Sequence, residues 1–168
     1  TTDGAWKKLW IRSLTSGTYY FTFSDFDGSN EQNQYAQKSI DSTANFLYYS
    51  LDYVCPFHGY EPNKNNWDIT FTKYITSAQG MPYGVTGVLS NSGIKVAQVD
   101  NLPTPDTYTD YTQHLMTTEM NTIGYDWKEF DMSSFSYLLN SNRCYFIKDL
   151  NDKIWRVIFT LFEGSSTG

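Results

Sequence analysis

Methionine brings the most distinctive donor chemistry to this chain, which carries four methionines and two histidines. A thioether is neutral and soft, and it binds the lower oxidation state of iron better than imidazole does. It also keeps its lone pair at mildly acidic pH, where histidine, with a reference pKa of about 6.5, begins to lose its own. The methionine-bearing segment between the strand at Trp67 and the C-terminal strands therefore offers a site for a soft-metal cofactor.

The two cysteines, Cys55 and Cys144, form no Cys-x-x-Cys motif. Because the chain also has only two histidines, zinc-finger and c-type haem motifs are excluded. Cys144 lies in a strand-like segment, where a buried free thiol is the expected state. A disulfide between Cys55 and Cys144 is the alternative for an exported protein.

Catalytic motifs are weakly represented in this sequence. Neither histidine, His58 or His114, has a serine or cysteine neighbour in a nucleophile motif. Asp126 and Glu129 have the residue types of an acid–base pair acting on a sugar. In a chain with 18 acidic residues, however, a solvated surface is the better interpretation of both. We therefore expect a binding protein and not an enzyme.

The charge balance limits the possible partners. The chain has 12 lysines and arginines and 18 aspartates and glutamates, which gives a formal charge of −6 and a pI near 4.7. Such an acidic surface repels phosphate backbones, so nucleic acid is not an expected partner. No apolar run approaches the ~20 residues needed to cross a bilayer. The sequence opens on threonine, without a signal peptide, which fits a processed mature protein or an expressed fragment.

Composition and alternation both favour an all-β fold. Aromatic residues make up 18% of the chain, and Tyr, Thr, Ser and Asn dominate the polar positions. A hairpin is expected from Val85–Leu89 and Ile94–Val99, around a Ser-Asn-Ser-Gly turn. Alternation with a period of two predicts further strands at Thr18–Phe26, Asn45–Val54, Trp67–Ile75, Arg143–Lys148 and Ile154–Phe162.

The remaining segments are less regular. Residues 5–14 fit a short helix or a strand, and the polar residues 30–45 fit either a helix or a flexible loop. Glycine and proline predict loops at 56–66 and 76–84, while residues 110–120 have no clean period. No linker divides the chain, so we expect one domain over residues 1–168 with at most one or two short helices.

The order of several motifs resembles the HmuY family of haem-binding lipoproteins from Bacteroidetes. The motifs are NNWDITFTKY at 65–74, a glycine-containing loop, GVTGVLSNS at 84–92, WKEFDM at 127–132 and a C-terminal hairpin. The resemblance covers about Trp67 to Phe162. It implies an all-β, hand-like fold of packed antiparallel sheets, with haem held at one end between loops.

The resemblance also implies that two axial side chains grip the haem iron, histidines in the founding member and methionines in several relatives. Met132 stands two residues after the Trp-x-x-Phe motif, where the family's second ligand sits. The first ligand belongs upstream, in an interval that holds His114, Met116 and Met120, and Met116 is the leading candidate. For Met81, in its Gly-Met-Pro loop, anchoring of the loop is the expected role.

The implied function is that of a haemophore-like protein that captures haem for iron acquisition. It would be a lipoprotein anchored to the outer membrane and facing the exterior, or a secreted protein. The expected partners are haem (iron protoporphyrin IX), an outer-membrane haem receptor and host haem proteins, with membrane contact only through a lipid anchor outside this chain. One alternative is a carbohydrate- or surface-binding β module, which exposed aromatics on an acidic scaffold also suit. Another is a family member that has lost haem binding and mediates protein contacts.

Overall fold

The computed structural model describes residues 4–78 and 80–164, and it confirms the predicted all-β class. All strand pairs in these residues are antiparallel, and helix is limited to 3₁₀ turns at Lys38–Ile40 and Tyr111–Gln113. None of the helical turns in these two ranges is long and apolar enough to span a membrane. The strands are β1 (Lys7–Thr15), β2 (Thr18–Asp25), β3 (Gln32–Gln37), β4 (Tyr48–Ser50), β5 (Cys55–Phe57), β6 (Ile69–Ala78), β7 (Met81–Ser90), β8 (Lys95–Val99), β9 (Lys128–Asp131), β10 (Ser136–Leu139), β11 (Cys144–Lys148) and β12 (Ile154–Val157).

The chain divides into two compact units, Thr1–Asn66 and Trp67–Gly168. Their boundary follows a turn in which the Asn66 N–H donates to the Asn63 carbonyl. The expectation of one domain over residues 1–168 stays a prediction, because two compact units can belong to one domain or to two.

The first unit is built on a three-stranded sheet in the order β1–β2–β3. Ser16 and Gly17 join strands β1 and β2. Both residues have positive φ, which a two-residue type I′ hairpin turn requires. Residues 7–15 are therefore a strand, which decides between the two alternatives for that segment. Phe21, Phe23 and Ala36 form the small core of this unit.

Two expectations for the first unit need correction. The helix or flexible loop expected at residues 30–45 is wrong for β3, which pairs along β2. The Gln and Asn side chains of β3 gave no apolar alternation by which to recognise a strand. An edge strand needs few apolar residues, because backbone hydrogen bonds to its partner hold it in the sheet. The strand predicted at Asn45–Val54 is confirmed only at β4, and its partner β5 opens the segment predicted to be a loop.

The second unit begins with a long hairpin of β6 and β7. The strand predicted at Trp67–Ile75 is confirmed from Ile69, and it continues through Ala78, which pairs with Met81. The loop predicted at 76–84 is therefore wrong for most of its length. The predicted pairing of Val85–Leu89 with Ile94–Val99 is also wrong, because β7 pairs with β6 and β8 pairs with β11.

Asn91 explains why the chain turns away from β7 instead of folding back on it. Its side chain is buried, its backbone N–H donates to the Asp68 carbonyl and its Nδ2 donates to the Trp67 carbonyl at 2.5 Å. These bonds fix the chain after β7 to the start of β6. Residue 95 then enters a second sheet, in the order β12–β11–β8, where the predicted C-terminal hairpin of β11 and β12 is confirmed.

This second sheet carries a hydrophobic cluster on each face, because alternate residues of a strand point to opposite sides. Tyr145 and Ile147 of β11 join the first cluster, which includes Trp127 and receives Leu139 of β10. Cys144 and Phe146 join the cluster on the other face. Segments that pack on different clusters are therefore separated by the sheet.

Candidate functional site

A groove of about 550 Å³ lies in the second unit, between the β6–β7 hairpin and the β9–β10 hairpin. Its volume is in the range that suits a small-molecule ligand. Five of the lining residues are aromatic, and the charged groups are two lysines and one glutamate. Among its lining residues are Tyr74, Tyr83, Tyr125, Phe130, Tyr137, Lys73, Lys128 and Glu129.

Close backbone contact between β7 and residue 124 holds the two hairpins in place. Val88 and Gly124 exchange two backbone hydrogen bonds, of 2.8 and 3.1 Å. A Cβ on Gly87 would overlap the Gly124 carbonyl oxygen, so only glycine fits at residue 87 without a shift of the backbone. From Gly124 the chain runs along β7 towards the tip of the β6–β7 hairpin and continues into β9.

Lys128 is a cation fixed beside the groove. Its residue is only 8% exposed, and its Nζ donates to the Thr86 carbonyl at 2.6 Å and to the Tyr125 carbonyl at 3.4 Å. The same Nζ lies 4.2 Å from the ring centroid of Trp127 and 4.5 Å from that of Phe162, within the range of cation–π attraction. Burial lowers the pKa of Lys128, although Asp126 acts in the opposite direction.

Tyr74 presents a neutral phenol to the groove. Burial raises the pKa of its hydroxyl, and the neighbouring Tyr125 and Asp126 raise it further. A phenol that holds its proton this firmly can donate a hydrogen bond to a ligand oxygen, whereas a phenolate ligand for ferric iron would need a lowered pKa. Tyr74 can therefore act as a hydrogen-bond donor in the wall of the groove.

The β9–β10 turn is ordered by one carboxylate. Asp131 accepts hydrogen bonds from the backbone N–H and the hydroxyl of both Ser133 and Ser134, at 2.6 to 3.1 Å. These bonds lower the pKa of Asp131 to about 2. Met132 stands inside this turn, and its side chain is 70% exposed. Met132 does not line the groove, but it follows the lining residue Phe130 by two positions.

The three upstream candidates are placed elsewhere, and none of them lines the groove in the part of the chain that the structure describes. Met116 is partly buried against the cluster around Phe146, on the face of the β12–β11–β8 sheet opposite the Trp127 cluster. His114 is engaged with its neighbour, since its Nε2 lies 2.8 Å from the Tyr108 hydroxyl.

Met120 lies at the far end of β7. Its carbonyl accepts a 2.8 Å hydrogen bond from the Ser90 N–H. Thr86, the lining residue of β7 nearest to Ser90, comes four residues earlier, and four residues of extended strand span ~13 Å. Met120 therefore lies beside a part of β7 that does not line the groove.

Met81, for which the sequence predicted only the anchoring of a loop, lies in a strand. It opens β7 at the tip of the β6–β7 hairpin, is 65% exposed, and lies on the same strand face as Tyr83 of the groove wall. Neither Met81 nor Met132 lines the groove itself, but each stands two residues from a lining residue, Met81 from Tyr83 and Met132 from Phe130. The Gly-Met-Pro sequence predicted a loop, which concealed the position of Met81 in a strand.

The structure also places the two cysteines, the acidic residues and the second histidine that the sequence singled out. Cys144 is fully buried as a free thiol, as expected, and Cys55 is also a free thiol. Burial raises the pKa of the Cys144 thiol. Asp126 does not pair with Glu129 but forms an ion pair of 3.1 Å with Arg143. His58 lies 3.7 Å from the Asp41 carboxylate.

No protein-family model matches this chain, and no match was found among curated proteins or solved structures.

Proposed function

We propose that this protein binds haem in the groove between the β6–β7 and β9–β10 hairpins and acts as a haemophore-like carrier. The observation that carries the proposal is an aromatic groove with an exposed thioether on each of the two hairpin tips, Met81 and Met132. The resemblance of residues 67–162 to the HmuY family supports it. In this proposal the protein captures haem and performs no catalysis.

The lining of the groove fits the chemistry of haem. A porphyrin has two apolar faces and two carboxylates, and aromatic walls suit the faces. Lys128 and Lys73 supply positive charge in a chain whose formal charge is −6. When bound, haem supplies an iron centre that accepts soft donors in its ferrous state. Met132, as predicted from the sequence, and Met81, in place of Met116, would be the axial donors.

The proposed partners and location follow from the same resemblance. An outer-membrane haem receptor would accept the ligand, and host haem proteins would supply it. The protein would be secreted, or would face the exterior as a lipoprotein anchored to the outer membrane. A groove that is open along one side suits such a carrier, because the ligand has to leave intact.

A haemin titration tests the proposal. Purified protein is titrated with haemin, with and without dithionite, and the visible spectrum is recorded. We expect saturation at one haem per chain and a sharp six-coordinate ferrous spectrum. Met132→Leu and Met81→Leu should each abolish that spectrum, because leucine keeps the volume but removes the donor sulfur, while the matched control Met116→Leu should retain it. A featureless free-haem profile from the unaltered protein would overturn the proposal.

Carbohydrate binding is the second candidate, and it rests on the tyrosines of the same groove. Tyr83 is exposed and Tyr74 holds its proton, so the pair can stack on a sugar ring and donate to its hydroxyls. Retention on immobilised oligosaccharides together with a featureless haemin titration would favour this function. If neither ligand binds, the third alternative of a protein-contact module gains support.

A further inference from the structure

A second groove, of about 660 Å³, lies within the first unit. Leu9 and Ile11 of β1 form one wall, Phe21 and Ala36 lie in its floor, and residues 44–51 form the opposite wall. Most of the lining is apolar, with polar groups at Lys38, Asn45 and two tyrosines. Leu9, Ile11 and Phe46 are each about half exposed at the rim, so the small core of this unit leaves apolar surface uncovered.

The shape and chemistry of this groove suit an alkyl chain. A concave apolar site of this size is typical of small-ligand pockets, and each methylene buried from water contributes about 0.8 kcal/mol. The walls are aliphatic at Leu9 and Ile11 and aromatic at Phe46.

One charge stands among the lining residues. Lys38 is the single lining residue with a charge at neutral pH, and its Nζ lies 5.5 Å from the ring centroid of Tyr19 in the same groove. Its backbone N–H donates to the Gly17 carbonyl at 2.8 Å, which fixes this position next to the β1–β2 turn. Within residues 4–78 and 80–164, no carboxylate forms a salt bridge with Lys38.

The carboxylate that lies beside this groove is already engaged. Glu61 accepts hydrogen bonds from the backbone N–H groups of Asn45 and Phe46 and from the Tyr48 hydroxyl. The Glu61 carboxylate is therefore occupied by these donors, and its hydrogen bonds stabilise the wall of the groove at residues 45–48. The charge of Lys38 remains available to a ligand.

We infer that the groove of the first unit binds a free single-chain carboxylate, with the alkyl chain along Leu9, Ile11 and Phe46 and the carboxylate at Lys38. Charge complementarity selects this occupant, because an aliphatic groove with one unpaired cation at its edge matches an amphiphile with one anionic head. This site is separate from the proposed haem groove and does not depend on it.

Calorimetric titration of the full chain with dodecanoate, below its micelle concentration, tests the inference. We expect saturable binding of one ligand per chain, and much weaker binding of dodecyltrimethylammonium, which has the same chain and the opposite charge. Lys38→Gln should weaken dodecanoate binding about threefold to fivefold, as expected for an exposed ion pair. The matched control Lys8→Gln removes a cation of the same unit that does not line the groove, and should change nothing.

Two further variants alter the part of the groove that would hold the alkyl chain and leave the charge of Lys38 in place. Ala44→Trp should fill the groove and abolish binding of dodecanoate, while Phe46→Ser, at an exposed position, should weaken it. Neither variant should alter the haemin titration, so failure of the haem proposal and failure of this inference remain distinguishable.

Several results would overturn the inference: no saturable heat with dodecanoate, equal binding of the cationic ligand, or unchanged affinity in Lys38→Gln. Ligand-independent dimerisation that is lost in Ala44→Trp would assign the groove to a second copy of the chain. Sedimentation with phosphatidylglycerol vesicles, without binding of free dodecanoate, would assign it to a membrane surface.

Discussion

The two grooves differ in the burial of the lysine compared in each, Lys128 in the second unit and Lys38 in the first. In the two proposals, the buried lysine would orient a ligand, whereas the exposed lysine would only accommodate one. In the second unit, Lys128 is buried between two carbonyls and two aromatic rings, beside walls of tyrosine. In the first unit, Lys38 is exposed at the edge of aliphatic walls. A buried cation held by four neighbouring groups restricts the orientation of a ligand more than an exposed cation beside aliphatic side chains does.

The largest effect is expected from Gly87→Ala, because the new Cβ would collide with the carbonyl oxygen of Gly124, which is backbone and cannot rotate away. We expect a loss of about 3 kcal/mol in the free energy of unfolding, at the upper end for an overpacked site. Denaturant unfolding followed by circular dichroism measures it. Gly84→Ala is the matched control on the same strand, since its Cβ would meet only Ile75 Cδ1 at 3.8 Å. Equal stability of the two variants would show that the contact of β7 with residue 124 does not hold the groove.

Replacing each groove cation by methionine sharpens the comparison. Lys128→Met leaves the Thr86 carbonyl without its 2.6 Å partner, and we expect a cost of about 1 to 2 kcal/mol in unfolding free energy. Lys38→Met removes an exposed charge and should change stability by less than about 0.5 kcal/mol. Thermal melts of both variants measure the difference. Similar losses in the two would mean that Lys128 is not structurally fixed.

Alternation along the strands was readable from the sequence, but strand partners were not. The period of two at Trp67 and in the C-terminal segment located β6, β11 and β12, because alternation marks a strand, although β11 proves to be buried on both faces. A pattern of faces carries no information about which strand lies alongside, so β7 and β8 were joined in error. The hydrogen bonds of Asn91 to the start of β6 decide that pairing, and a single Asn in a turn gives no such signal.

Sequence reasoning reached only part of the candidate site. The role of Met132, which rests on a motif, stays a prediction. The strand position of Met81 was not expected, because Gly80 and Pro82 predict a loop, whereas Pro82 occupies an edge position of β7 that needs no donated hydrogen bond. The opposite placements of Met116 and the Trp127 segment depend on the sheet between them, which a local pattern cannot reveal.

Alkaline pH should destabilise the second unit through Tyr145. Burial raises the pKa of its hydroxyl to about 12. The folded state therefore keeps a proton that the unfolded state loses near pH 10, and the stabilising contribution disappears as pH rises from about 10 through 12. Guanidinium unfolding at intervals between pH 9 and pH 12 should give a steeper fall for the unaltered protein than for Tyr145→Phe. Parallel curves would contradict this assignment.

The smallest effect is expected from Asp131→Asn, which weakens the hydrogen bonds from Ser133 and Ser134 in the turn around Met132. Because the folded pKa of Asp131 is lowered to about 2, order in the turn is present above the ordinary value of 3.8 and is lost as pH falls through about 2. Hydrogen exchange at neutral pH should quicken at the Ser133 and Ser134 amides in the variant. In the first unit, the amides of β2 should serve as an unchanged reference.

The most direct test of the haem proposal is a haemin–dithionite titration of two double variants. Met81→Leu/Met132→Leu removes the sulfur from both hairpin tips, and Met116→Leu/Met120→Leu removes the two upstream thioethers. We predict that the first variant loses the six-coordinate ferrous spectrum and that the second retains it. The reverse result, with the spectrum lost only in Met116→Leu/Met120→Leu, would contradict the placement of haem between the two hairpins.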